Sequence, residues 1–308
     1  MKHIFGPVAS RRLGRSLGID LVPFKTCSLN CVYCECGRTT NETLERKEYV
    51  SRAEIISELN EWLAGGGNAD FITLAGSGEP TLNSCLGDII SEVKKITDIP
   101  VCILTNGTLF FRDDVRREAA MADVVIPSLD APDVEIFRKI NRPPRELNFD
   151  EYIAGLIEFS NMFRGELFLE IFIVPGVNDD DESVEKLARL AKKIKLKKIQ
   201  LNTAVRPTAE KNVHAEAEEK LFKIAKKFSQ PVEVVARFNN NTVVNDAGTK
   251  EQVYNLLCRR PCTLEDIAAG LAIKPADARQ FVISLLEECR IKKSEREGKI
   301  FYSDCAVD

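Results

Sequence analysis

The 308-residue chain carries 43 Lys and Arg against 47 Asp and Glu, a formal charge of −4, with 44% hydrophobic and 29% charged residues. That balance belongs to an ordinary globular protein able to bury a sizeable core, and it argues against bulk affinity for nucleic acid or an anionic membrane. No apolar run nears the roughly 18 residues of a membrane span and the first residues lack the apolar stretch of a signal peptide, so a soluble, cytoplasmic protein is expected.

Short β-branched runs alternate with helix-period segments from about residue 16 onward. Strands are predicted over 17–21, 71–74, 101–104, 124–127, 167–174 and 199–202. Helices are predicted over 51–63, 88–96, 150–159, 183–194 and 216–228. Ile89, Ile90, Val93 and Ile96 make a helical stripe, and Ser51 with Glu54 has the spacing of a capping box. Such alternation implies an α/β fold with a parallel sheet, and six units suit a partial (β/α)6 TIM-type barrel over residues 1–236. The polar run 238–242 marks a linker, 237–249. Beyond it, helices over 250–257, 263–271 and 274–288 and a hairpin turning near Gly298 describe a small winged-helix domain, 250–308. That segment holds ten Lys and Arg and ten Asp and Glu. Because phosphate contacts dominate nucleic-acid affinity, DNA is an improbable partner and docking on a protein or on the barrel is the better expectation.

Ten cysteines and only two histidines, His3 and His214, set the available chemistry. A reducing compartment leaves disulfides no role, and two histidines nearly exclude a site built on several imidazoles. Cys27, Cys31 and Cys34 form a C-x3-C-x2-C spacing on a loop past the first predicted strand. Three crowded thiolates can ligate three irons of a [4Fe–4S] cubane and leave the fourth iron free of protein. Zinc is the rival, but structural zinc wants four closed ligands, commonly in C-x2-C pairs, and Cys36 would have to serve as the fourth. Cys85 and Cys102 read as apolar fillers, and Cys36 as filler or as a thiol for substrate capture. Cys258, Cys262, Cys289 and Cys305 are either core thiols or ligands of a second Fe–S cluster.

The cysteine loop, with Tyr33 before its third cysteine, resembles the signature of the radical S-adenosylmethionine (SAM) superfamily. The resemblance covers roughly residues 1–236. It implies that SAM chelates the open iron and is cleaved reductively to a 5′-deoxyadenosyl radical, chemistry that the cofactors carry and the protein positions. Gly76, Gly78 and Glu79 resemble the family's glycine–glutamate segment at the SAM amino group. Thr105 and Asn106 end the third strand, and Ser128 and Asp130 end the fourth near the ribose. Asn178 falls where the fifth strand's exit passes adenine and ribose, and Asn202 ends the sixth strand. These loops follow strands, the face where parallel barrels assemble their sites. Gly76 and Gly78 would admit close backbone approach, and Glu79 would pair with an ammonium. Strand period places Glu170 on one face with Phe168 and Phe172, toward SAM or substrate.

More narrowly, the runs 6–14, 137–143 and 200–210 resemble relatives of wyosine-base synthases. That implies an RNA base as substrate, with a peptide or protein as the alternative and a reductant such as flavodoxin or ferredoxin. Arg11, Arg12, Arg142, Arg206 and Lys211 are candidate contacts for a substrate anion. A different class of reading, a redox-sensing regulator with an Fe–S cluster and a winged helix, has no use for the motifs after strands two to five.

Overall fold

The computed structural model describes residues 1–10, 12–235, 248–296 and 298–305. Arg11, residues 236–247 with the polar run 238–242, and Glu297 of the terminal hairpin lie outside the described residues.

The chain opens with a hairpin, β1 (Ile4–Ser10) and β2 (Gly14–Asp20). Two short paired strands, β3 (Thr26–Cys27) and β4 (Asn41–Glu42), bracket the cysteine loop. The alternation then runs through α1 (Arg52–Ala64), β5 (Phe71–Ala75), α2 (Leu86–Ile96), β6 (Val101–Thr105) and α3 (Asp113–Ala119). It continues through β7 (Val124–Pro127), α4 (Val134–Ile140), α5 (Phe149–Met162), β8 (Glu166–Ile173) and α6 (Asp181–Ala191). β9 (Lys198–Thr203), α7 (Glu218–Ala225) and β10 (Val232–Val234) complete it. Among the described residues these strands make one sheet in the order β1-β2-β5-β6-β7-β8-β9-β10. Pairing is parallel from β2 to β10, whereas β1 runs antiparallel to β2, so the sheet is mixed.

The six expected strands are present, and the sheet adds one at each edge. β1 escapes a sequence reading because Gly6-Pro7 interrupts its apolar run, and proline belongs at edges. β10 has three residues, too few to show a period. Every second residue of β8, from Leu167 to Ile173, is buried beneath the helices in the main core. Phe168 and Phe172 point to the opposite face, into two smaller apolar clusters. Each such side chain contributes roughly 1.5–3 kcal/mol on full burial.

One capping expectation fails. Ser51 does occupy the N-cap of α1, but its side chain caps nothing, and the Arg52 amide is taken by Glu48 instead. Glu54, the residue that would close the box, faces His3 on β1's approach. Ile96, the last position of the predicted stripe on α2, is exposed.

After the undescribed segment come α8 (Lys250–Leu257), α9 (Leu264–Leu271), α10 (Pro275–Glu287) and a hairpin of β11 (Ile291–Arg296) and β12 (Lys299–Asp304). Thr249 with Gln252 and Thr263 with Asp266 are true capping boxes that start α8 and α9. The core of this module, with Leu257, Ile267, Val282 and Leu285, also takes in Val8 of β1. Among the described residues no helix is long and apolar enough to cross a membrane.

Candidate active site at the strand ends

The cysteine loop is held from several sides. The amides of Asn30 and Val32 donate to the carbonyls of Asn141 and Ile140, at 3.0 and 2.9 Å. On another side the amides of Ala209 and Glu210 donate to the carbonyls of Cys34 and Val32, both at 3.0 Å. Side-chain amides reach two of the sulfurs: Asn106 Nδ2 lies 3.6 Å from Cys27 Sγ, and Asn141 Nδ2 lies 3.4 Å from Cys31 Sγ. Ser28 and Tyr33, inside the loop, bond Asn106 and Asp130 respectively. Tyr33 also stacks on Phe172, ring centroids 3.9 Å apart.

Burial pushes the Cys27 thiol up to about 12, with the Glu79 charge adding to it, and raises Cys31 as well. Cys34 is held below the ordinary thiol value by a hydrogen bond from Cys36, whose own proton is correspondingly harder to remove. Among the described residues no three His, Cys, Asp or Glu side chains converge as ligands of one metal ion. A cubane asks for a different arrangement, since each thiolate meets its own iron and donors to sulfur tune the cluster. A single loop with three thiols and two amide donors suits that demand.

The loop after β5 is built around the chain itself. A side chain at Gly76, whose φ is +120°, would overlap the Asp20 carboxylate at 1.6 Å. One at Gly78 would strike the Thr26 carbonyl oxygen at 2.0 Å. Both glycines therefore have a reason internal to the fold: they seat this loop on β2 and on the start of the cysteine loop. Glu79 is 2% exposed. Its Oε1 accepts from Thr81 N at 3.1 Å and from the hydroxyls of Thr81 and Thr105, both at 2.6 Å. Its Oε2 accepts from Asn106 N at 2.7 Å. Burial still raises its pKa, against these hydrogen bonds.

Asp130 is a second hub. It accepts from the Tyr33 hydroxyl, from Asn141 Nδ2 at 3.0 Å and from Phe172 N at 2.8 Å. Burial pushes it up to about 6, opposed by those same donors. Asn178, fully buried, spends its amide on the carbonyls of Asp130 and Phe172, both at 2.8 Å, and accepts from Val174 N. Glu170 faces Arg12 and Asn202, on the side of the sheet shared with Phe168 and Phe172. The Ser128 carbonyl accepts from the Tyr152 hydroxyl.

Of the arginines read as anion contacts, Arg12 is paired with Glu170 and Arg142 with Glu210. Arg206, 1% exposed, lies between Glu35 of the cysteine loop at 3.1 Å and Asp266 of α9 at 3.4 Å. Burial alone would lower its pKa, yet those carboxylates hold it above its ordinary value. Lys211 is exposed. Three residues that no sequence reading selected join the module to the site. Arg259 pairs with Asp20 at 2.8 Å and stacks on Phe5 at 4.1 Å, and its carbonyl oxygen lies 3.3 Å from Cys36 Sγ. Arg296 bonds the Arg206 carbonyl, and Arg260 lines a cavity described below. An Arg-Arg-Pro turn between helices carries no sequence signal for such a role.

The remaining thiols separate. Cys102 is fully buried in an apolar cluster, as expected of a filler, and Cys85 is half-buried. Cys262 is buried in the module core, Cys258 is half-buried, and Cys289 and Cys305 are exposed.

Residues 21–191 match the family model described as the Radical SAM superfamily. A protein of Brachyspira hyodysenteriae named GTPase Obg is 40% identical over 98% of this chain, and the chain spans only 45% of that protein. The UPF0026 protein MJ1312 of Methanocaldococcus jannaschii is 34% identical over 98% of this chain and 96% of its own. A solved structure, TYW1 with a lysine-pyruvate adduct bound, superposes with a TM-score of 0.53 at 18% identity, over 72% of this chain and 74% of that one, a likeness of fold. The chain therefore belongs to the radical SAM superfamily, alongside the UPF0026 proteins, and is an enzyme that generates a 5′-deoxyadenosyl radical from SAM.

Proposed function

We propose that Cys27, Cys31 and Cys34 ligate a [4Fe–4S] cluster, that SAM binds beside it at the strand ends, and that hydrogen is abstracted from an RNA base. The observation that carries the reading is the convergence on one loop of three cysteines with Asn106 and Asn141 at two of the sulfurs. When bound, cluster and SAM supply the radical by one-electron reductive cleavage of a carbon–sulfur bond. The chain's residues do the positioning. Glu79 ties the loop after β5 to that after β6, and its Oε2, which among the described residues accepts only from Asn106 N, keeps a lone pair for the SAM ammonium. Asp130 and Asn178 support the ribose side from behind, their polar atoms being spent within the fold. Asn106 and Asn202 likewise spend their side-chain amides within the fold, on the cysteine loop and on Glu170, so they position the cofactor's surroundings, with Ser128 as the candidate ribose contact and Glu170 held by Arg12 at the substrate side.

The sheet is read as a partial (β/α)6 barrel bearing an edge hairpin, and the C-terminal module as a winged helix turned to docking on it. Lys274, Arg279 and Gln280 of the module stay exposed beside acidic Glu287 and Glu288, a poor surface for DNA. The RNA-base reading rests on the wyosine-like runs, two of which form the walls at 140–141 and 209–210 that hold the cysteine loop. A reductant such as flavodoxin or ferredoxin supplies the electron.

The test is anaerobic reconstitution with iron and sulfide, then dithionite and SAM, counting iron and 5′-deoxyadenosine. About four irons per chain with deoxyadenosine formed is expected, and Cys31→Ala should abolish both. Turnover retained in Cys31→Ala refutes the ligand assignment, and about eight irons would make the C-terminal cysteines a second cluster site.

A further inference from the structure

A cavity of about 250 Å³ lies between the sheet and the C-terminal module. Leu104 of β6 gives it an apolar wall, Cys36 and Gly76 bring the cysteine and glycine loops to its rim, and the module contributes Arg259 and Arg260. Arg12 lines it too. Two of these three cations are answered within the fold, Arg12 by Glu170 and Arg259 by Asp20. Arg260 is different. Its side chain has no hydrogen-bond or ion-pair partner among the described residues, and its Nε is shut from solvent. Arg12 likewise keeps a buried Nε without a partner.

A guanidinium cannot shed its proton, and a buried Nε–H without an acceptor carries a desolvation cost that a ligand anion would relieve. Its planar fork matches carboxylate and phosphate oxygens. We infer that this cavity binds the anionic group, carboxylate or phosphate, of the enzyme's substrate, with Arg260 as the principal cation and the Arg12 Nε–H as a second donor. The inference rests on the enzyme reading above and narrows its substrate to one bearing such a group within reach of the cysteine loop. Because Arg260 comes from the module and Arg12 from the β1–β2 hairpin, the site exists only with the module docked.

The full-length protein is tested by thermal unfolding against inorganic phosphate, propionate and sodium chloride at matched ionic strength. Wild type, Arg260→Gln and the exposed control Arg164→Gln are compared. Phosphate or propionate should raise the melting temperature saturably in wild type and control, with apparent affinity about 10- to 100-fold weaker in Arg260→Gln. The anion that saturates at lower concentration identifies the group. Should Arg260→Gln fail to fold, Arg260→Lys keeps the charge, loses the fork and should also weaken the response. Equal saturable shifts in wild type and variant overturn the inference, as does no saturable shift with either anion. The titration contains neither SAM nor reductant. Anion binding without deoxyadenosine formation would thus remove the enzyme reading and leave the site, and the reverse result would remove only the site.

Discussion

Replacing Glu79 separates its two expected duties, tying loops together and meeting SAM. In Glu79→Gln the amide oxygen can keep the place of Oε1 and its three donors, but the amide nitrogen then confronts the Asn106 N–H. The Asn106 N–H and the facing amide N–H are both left without an acceptor, a cost of about 2 kcal/mol. In Glu79→Ala the Thr81 and Asn106 amides both lose their acceptor, while the two threonine hydroxyls can turn elsewhere. Two orphaned amides and the emptied volume amount to about 5 kcal/mol. With an unfolding entropy of roughly 2.1 cal/mol/K per residue over this chain, those figures become about 3 and 8 °C in melting temperature. Calorimetry of the cluster-free protein measures the first duty, and SAM binding to the reconstituted protein measures the second. An Ala variant melting within 2 °C of wild type would refute the hydrogen-bond accounting. A Gln variant with unchanged SAM affinity would remove the carboxylate from the cofactor's contacts.

Asp130 supplies a pH signature. Its folded value of about 6 exceeds the ordinary 3.8, so the folded state holds the proton more tightly. Its contribution to stability is full below pH 4 and is lost as pH rises toward 6, by about 3 kcal/mol. Asp130→Asn should flatten that fall in a denaturant series, and an identical profile in both proteins would contradict it. Arg206→Met removes the buried cation between the carboxylates of Glu35 and Asp266 and should cost about 3–5 kcal/mol. Adding Glu35→Gln should recover part of the loss, and strict additivity would show that the three groups do not act together. Removing residues 248–308 uncovers Val8 and takes Arg259 from Asp20 and Asp266 from Arg206. The shortened chain should unfold at lower temperature and reconstitute less iron, and equal stability would make the module a mere appendage.

Alternation of strands and helices was legible because apolar residues at periods of 2 and 3.6 are local properties. Cys27, Cys31 and Cys34 were legible for a similar reason, since three thiols within eight residues must share a loop whatever surrounds them. Edge strands β1 and β10 were not, one broken by proline and the other too short for a period. Nor were the glycines' reasons: that Gly76 makes room for Asp20, and Gly78 for the Thr26 carbonyl, depends on which strand lies alongside.

Spacing along the chain thus determined the α/β alternation, the three helices and hairpin of the C-terminal module, and the thiol loop. Only the tertiary structure decided which charges answer one another. Arg12, Arg142 and Arg206 are equivalent in sequence as candidate anion contacts, yet each meets a carboxylate 68 to 171 residues away. Arg260, unremarkable in sequence, is left facing the cavity with no such partner. The physical reason is that a charge's state depends on desolvation and on opposite charges within a few ångströms, and folding sets both.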